Sequence, residues 1–196
     1  SIADPFAYST DTTMYYVTGT DNNSCTNIDS IEIIVNPLPT ATATATAAEI
    51  CIGDSTQLNS SGGILSVWLP SDSLTDDSIS NPFAFPSETT TYIVTVTDIN
   101  SCKNSDSVTI IVNSLPANIL GNDAEICIGD SAQLNANGTD IICSWLPMDS
   151  LSDPNIPNPY ANPSGTTLYI VTVTDTNGCN NSDSVTVEVN LLPNVD

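Results

Sequence analysis

Histidine and arginine are absent from this sequence, and Lys103 is its one basic side chain, set against 23 Asp and Glu for a formal charge of −22. These absences exclude whole classes of function. Phosphate backbones are held by Lys and Arg that release counterions, so nucleic acid is excluded as a partner. An anionic membrane surface is excluded by the same argument. The side chains that most often act as general base, phosphate clamp or imidazole metal ligand are missing too, so any catalysis would rest on carboxylates alone. No run of 18 apolar residues is present that could cross a bilayer as a helix, which implies no membrane insertion. From Ser1 onward no basic stretch precedes an apolar one, so no signal peptide is read. The six cysteines include no C-x-x-C pair, and with no histidine a zinc or redox motif does not fit. Their regular placement fits disulfides made in an oxidising space, which points to an extracellular, cell-surface location.

What is present is 40% hydrophobic residues, with Val, Ile and Thr in alternating patterns. Disordered acidic chains lack such patterns, so the acid decorates folded strands. The sequence also repeats itself. AEICIGDSTQLN at 48 to 59 recurs as AEICIGDSAQLN at 124 to 135. NPFAFPSETTTYIVTVTDINSCKNSDSVTIIVNSLP, 81 to 116, recurs 77 positions later at 158 to 193, and 4 to 39 carries the same pattern 77 positions earlier. The expected domains are therefore 1–39, the C-terminal half of a repeat; 40–116 and 117–193, complete repeats; and 194–196, the start of a next linker.

Within a repeat, Tyr169, Val171 and Val173 alternate with Ile170, Thr172 and Thr174, and Val185, Val187 and Val189 alternate with Thr186, Glu188 and Asn190. Two half-buried strands follow, joined as a hairpin through Asp175-Thr176-Asn177-Gly178. Ser131 to Asn135, Ile141 to Trp145 and Thr40 to Ala47 read as further strands. Met148 to Pro163, with Pro154, Pro157, Pro159 and Pro163, reads as an ordered connecting loop, since proline cannot serve a central strand or a helix interior. Several short strands with turn signals between them predict an all-β sandwich in each repeat. Prolines at Pro37, Pro39, Pro116 and Pro193 stiffen short links between repeats.

The motifs I-C-x-G-D-S-x-x-L, W-x-P, N-P-x-A-x-P-x-x-T-T-x-Y-x-V-T-V-T-D-x-N-x-C and S-V-T-V-x-V-N-x-L-P resemble those of PKD-like and Ig-like tandem repeats. Such repeats occur in very long surface proteins of Bacteroidota that are exported by the type IX secretion system and linked to gliding motility or adhesion. The resemblance covers the whole chain and implies Ig-like/PKD-like β-sandwiches of about 77 residues each. Standard PKD repeats carry W-D-F-G-D-G, where this sequence has Trp68-Leu69-Pro70 and Trp145-Leu146-Pro147.

Trp68 and Trp145 share one repeat position on a middle strand and are expected in the core, as are Tyr92, Tyr169 and, in the partial repeat, Tyr15. Gly19 stands where Val96 and Val173 stand, so its strand is expected to pack less well. Cys51 and Cys127 share one position before the first turn; Cys25, Cys102 and Cys179 share another in the final hairpin. Two pairings compete. Bonds within a repeat, Cys51 to Cys102 and Cys127 to Cys179, would staple small cores. The first turn and the final hairpin, however, lie at opposite ends of a sandwich, about eight residues or ~25 Å apart, whereas a disulfide needs Cα atoms within about 7 Å. Stacked repeats would bring the exit end of one against the entry end of the next, so that Cys51 could bond Cys179 across repeats, which would leave Cys25, Cys102 and Cys127 to partners outside this sequence. Cys143, at the position of Ser66 and on the face of Trp145, is expected as a buried free thiol.

Asp72, Asp76, Asp77, Asp149 and Asp153 are weak candidates for calcium, the one cofactor considered, motivated by the charge that a divalent ion would screen. Asp-Ser followed by an aliphatic residue or threonine looks like the O-glycosylation signal of Bacteroidota surface proteins and marks Ser30, Ser55, Ser73, Ser107, Ser150 and Ser184, with Ser131 beside them. Turn chemistry explains the same pairs. No catalytic or cofactor-binding residue is expected. The expectation is a structural stalk or filament of a large secreted adhesin that sets reach and stiffness. Its partners would be neighbouring repeats, identical chains in a filament, and surface glycans or other cells through regions outside this sequence. The rival is an accessory carbohydrate-binding or spacer module of a secreted enzyme, which needs an exposed aromatic platform. The half-repeat 1–39 lacks its first strands and is expected to leave an open edge, to be filled by more of the chain or by a neighbouring one.

Overall fold

Wherever β-branched residues alternate with polar ones the chain is extended, and every element in this computed structural model, which describes residues 4–116, 123–136 and 142–194, is a strand. In chain order these are β1 (Thr13–Thr20), β2 (Thr26–Ile33), β3 (Thr42–Ala45), β4 (Glu49–Cys51), β5 (Thr56–Ser61), β6 (Leu65–Leu69), β7 (Phe83–Ala84) and β8 (Thr90–Thr97). They continue as β9 (Lys103–Asn113), β10 (Ala124–Cys127), β11 (Ala132–Gln133), β12 (Ile142–Leu146), β13 (Tyr160–Ala161), β14 (Thr167–Thr174) and β15 (Asn180–Asn190). The fold is an all-β sandwich.

The chain forms two compact units, one of Ser1–Thr46, Thr56–Ala84 and Thr91–Thr109, the other of Ala47–Ser55, Phe85–Thr90 and Ile110–Asp196. In the second, β10-β15-β14-β12 form a four-stranded sheet and β11-β13 a two-stranded one. β14 meets β15 antiparallel with Tyr169 opposite Val185 and Thr167 opposite Val187. β12 pairs with β14 so that Cys143 faces Val173 and Trp145 faces Val171. The inward residues of these strands close a core with Ala132, Leu134, Ala136 and Ala161. Trp145, Tyr169, Val171, Val173 and Val187 are fully buried, each aliphatic one contributing about 1.5–3 kcal/mol of transfer free energy. The first unit buries Leu58, Trp68, Tyr92, Val94 and Val96 at matching repeat positions. Its β3-β5-β7 sheet corresponds to β11-β13, with β3 as an additional strand.

The proline-rich loop has a use that its lack of N–H groups conceals. Proline still offers a carbonyl, and the carbonyls of Pro154, Pro157 and Pro159 accept hydrogen bonds from the backbone N–H groups of Trp145, Ala136 and Leu134 at 2.9, 2.8 and 2.9 Å. The indole Nε1 of Trp145 donates to Ile156 O at 3.0 Å, as Trp68 Nε1 donates to Ile79 O at 3.1 Å. The loop's prolines, without an N–H of their own, thus serve as carbonyl acceptors for the neighbouring strand segments.

Several sequence expectations shift. The strand expected over Ser131 to Asn135 shortens to β11, because past Gln133 the N–H groups of Leu134 and Ala136 meet the carbonyls of Pro159 and Pro157, which have no N–H to complete a ladder, and that over Thr40 to Ala47 shortens to β3, beyond which Thr46 N still bonds Gln57 O at 2.9 Å. Ile141 lies outside the described residues, and the strand it was assigned to runs as β12. The loop Met148 to Pro163 also contains β13. The strands β4 and β10 were not foreseen. They run parallel to β9 and β15, pairing Cys51 with Asn113 and Cys127 with Asn190.

The half-repeat stands as the hairpin β1–β2, with Tyr15 opposite Ile31 and Val17 opposite Asp29. Tyr15 is 38% exposed, Val17 64% and Ile31 65%, where Tyr169 and Val171 are fully buried and Val185 nearly so. The expected core role of Tyr15 therefore does not hold here, since no described strand covers that face of the hairpin.

Candidate functional site

Chemistry outside the core gathers around the cysteines. β4 ends at Cys51, and Gly53 turns the chain with φ of 94°, a left-handed value that glycine adopts without strain. Asp54 N closes the turn on Cys51 O at 3.0 Å. The strand end is tied to β9 through Ile52 N to Asn113 O, 2.8 Å, and Asn113 Nδ2 to Glu49 Oε1, 2.8 Å. Glu49, Ile50, Cys51, Asp54, Ser55 and Asn113 line a recess that Asn177 completes.

Asn177 belongs to the hairpin that carries Cys179. Asp175 organises it: its Oδ1 accepts from Asn177 N and from Cys179 N, both at 2.9 Å, and its own N–H bonds Cys179 O at 2.9 Å. Cys51 and Cys179 form a disulfide with Cα atoms 5.6 Å apart across a sequence separation of 128. Both belong to the second compact unit. Of the two pairings open in the sequence, the structure contains the one across repeats. The within-repeat pairs are not formed: Cys25, Cys102, Cys127 and Cys143 are free thiols. Cys143 is buried, and burial pushes its thiol up from the ordinary value.

The calcium candidates do not converge. Asp76 accepts from Ser78 N at 2.8 Å and Ser78 Oγ at 2.6 Å, which holds its carboxyl below the usual range, and Asp153 accepts from Asn155 N at 2.8 Å. Asp72 and Asp149 are exposed and Asp77 is half-buried. Among the described residues no group of three or more Asp, Glu, Cys or His is placed to hold a metal. The serines Ser30, Ser55, Ser107, Ser131, Ser150 and Ser184 are exposed and Ser73 is half-buried. Ser73 and Ser150 occupy tight turns with φ of 65° and 66°.

Sequence reasoning missed one recurring feature. Phe83 and Tyr160, 77 positions apart on β7 and β13, are both exposed, as is Phe6 at the same repeat position. The alternation that carried Trp145 and Tyr169 inward could have shown it, because Ala84 and Ala161 beside them point to the core.

No known protein family and no curated protein matches this chain. Among solved structures it is similar to murine CEACAM1b, with 12% identity and a TM-score of 0.35 over 77% of this chain and 100% of that one. It is similar to the insect immune protein hemolin, with 12% identity and a TM-score of 0.41 over 90% of this chain and 56% of that one. A Ca2+-stabilized adhesin with which an Antarctic bacterium binds ice shows 12% identity and a TM-score of 0.48 over 91% of this chain and 57% of that one. The chain spans little more than half the length of the last two.

Proposed function

We propose that this chain is a stretch of repeat stalk or filament from a secreted cell-surface adhesin, that its repeats run 40–116 and 117–193, and that it sets reach and stiffness without catalysis. The observation that supports this reading is the Cys51–Cys179 disulfide, which joins the first turn of one repeat to the final hairpin of the next. A cross-repeat bond belongs to an oxidising space and restrains one repeat against another, which a spacer under shear requires. The recurrence of side-chain bonds supports it too: Asn104 Nδ2 to Pro39 O at 2.9 Å and Asn181 Nδ2 to Pro116 O at 3.0 Å anchor corresponding linker prolines. Export through the type IX system and a role in gliding are part of the same proposal and rest on the sequence resemblance.

Electron microscopy of the intact native protein at the cell surface tests the reading. Rods with a regular axial spacing are expected; short isolated particles would overturn it. The exposed Phe83 and Tyr160 favour a second reading, in which each repeat offers one ring for stacking on a glycan. Glycan-array binding that is lost with Tyr160→Ala and Phe83→Ala would support that module.

A further inference from the structure

Charge is spread unevenly over the strands. β3, β5, β7, β11 and β13 carry none of the 23 acidic residues, whereas β4, β9, β10 and β15 carry Glu49, Asp106, Glu125, Asp183 and Glu188. In β5 the alternation buries Thr56 and Leu58 and turns Gln57 and Asn59 outward; in β7 Ala84 is buried and Phe83 points out, 47% exposed. Gln57 stands directly opposite Phe83. The second repeat has the same arrangement. Gln133 lies opposite Tyr160, which is 54% exposed, and Asn135 follows two positions on, while Leu134 and Ala161 turn to the core.

The residue that bears each ring is held from its other side as well. Phe83 N donates to Thr75 Oγ1 at 3.0 Å, and its carbonyl accepts from Thr75 N at 2.9 Å. Tyr160 N donates to Ser152 Oγ at 2.9 Å, and its carbonyl accepts from Ser152 N at 2.8 Å. Each exposed ring therefore stands on a backbone fixed from both sides, which lowers the ordering cost of any contact the ring makes. Gln57 Nε2 donates to Asn81 O at 3.4 Å, which orients the amide and leaves its oxygen and second N–H for a ligand.

Ring and carboxamide together suit one class of ligand. An aromatic face packs against C–H groups, and a carboxamide offers a donor and an acceptor to hydroxyls without a formal charge. Residues directly opposite across a ladder have Cβ atoms about 4.5–5.5 Å apart, and diagonal neighbours lie about 7–8 Å apart. Phe83 and Gln57 thus reach a single pyranose, and Asn59, on the diagonal, reaches the next unit of a chain. A protein of charge −22 repels an anionic polymer and leaves a neutral one free to approach. We propose that the outward face of the β5–β7 ladder, and that of the β11–β13 ladder with Asn135, are equivalent subsites for a neutral glycan of equatorially substituted pyranoses, of which β-linked glucose is the simplest case. Phe83 and Tyr160 stack on the C–H face of one sugar, Gln57 and Gln133 bond its hydroxyl edge, and Asn59 and Asn135 bond the sugar that follows. The proposal deepens the second reading above and rests on it for the stacking rings; it adds the carboxamides and, with them, the preference for a neutral chain.

Calorimetric titration of the purified 196-residue chain with cellohexaose tests it, with a galacturonic acid hexamer as the anionic comparison. Two equivalent sites for cellohexaose and none for the anionic hexamer are expected. Phe83→Ala and Tyr160→Ala should each remove one site, and the double variant both, while Tyr160→Phe should keep its site. Gln57→Ala combined with Gln133→Ala should weaken both sites about 3–10-fold with the rings in place. Unchanged urea midpoints and an intact Cys51–Cys179 bond show that the variants fold. Equal affinity for the anionic hexamer would overturn the proposal. So would amide variants that bind like the parent while ring variants lose binding, an outcome that leaves the ring reading standing. A parent chain that ignores cellohexaose yet binds another glycan through the same rings would overturn the ligand class alone, and a parent chain that binds no glycan would overturn both readings.

Discussion

At the scale of single residues the repeats act as internal controls. Gly178 takes φ of 83° in its hairpin, where Ser101 and Ser24 take 66° and 68° at the same position. An L-residue pays roughly 1–2 kcal/mol in that region, part of which glycine returns through its greater freedom in the unfolded chain. Ser101→Gly is therefore expected to raise stability by up to about 1 kcal/mol in urea denaturation, and an unchanged midpoint would count against strain there. The tyrosines offer a second comparison. Tyr92 Oη is buried with no hydrogen-bond partner among the described residues, whereas Tyr169 Oη donates to Asp149 O at 3.5 Å. Tyr92→Phe should stabilise by about 1 kcal/mol, since an unsatisfied buried hydroxyl costs roughly 1–3 kcal/mol, and Tyr169→Phe should gain nothing. Desolvation raises both phenols above their ordinary 10.0, and the Asp149 charge adds to it at Tyr169. Folding thus favours the neutral form. The associated stability is complete below pH 10.0 and is lost as pH climbs from there through the raised folded values, at about 1.4 kcal/mol per pH unit per tyrosine. Tyr92→Phe should flatten that alkaline limb. The burial of these tyrosines was legible from period-two alternation; the missing partner of Tyr92 was not, because it depends on a carbonyl placed by a distant turn.

At the scale of elements, long alternating strands were legible and short ones were not. β14 and β15 run 8 and 11 residues and announce their faces, while β4 has 3 residues and finds its parallel partner some sixty residues later on β9. No local pattern encodes that pairing. The proline-rich loop was legible as something other than a central strand, but the role of its prolines as carbonyl acceptors requires knowing which donors face them. Trp145 ties both kinds of element together, with its backbone N–H on Pro154 O and its indole on Ile156 O. Trp145→Phe removes the indole bond and leaves a void in the core to which Cys143 also belongs. It should cost about 2–4 kcal/mol by urea denaturation, between the loss of one buried hydrogen bond and a full truncation. The buried Cys143 thiol reports the same event: in the parent chain it should resist iodoacetamide until unfolding, and in the variant it should be alkylated at lower urea. Equal protection in both would place the loop's anchorage elsewhere.

At the scale of the whole molecule, the disulfide redirects force. Tension applied to the two termini follows the covalent chain to Cys51, crosses to Cys179 and leaves along β15, so the residues between them are shielded. With a sequence separation of 128, the bond hides about 420–460 Å of extended chain at roughly 3.3–3.6 Å per residue. In the loop-entropy description it also stabilises by about 5 kcal/mol. The spacing argument in the sequence reached this pair because a sandwich separates its own two cysteines, although connectivity itself is a property of the folded ends and is not written in cysteine positions. Single-molecule pulling gives the clearest check. The oxidised chain should yield only the length outside the bridged segment, and added reductant or Cys51→Ser should release the missing 420–460 Å as further unfolding steps. Identical contour lengths with and without reductant would mean that the bond does not shield the chain, and resistance to pulling would then rest on the strand ladders alone.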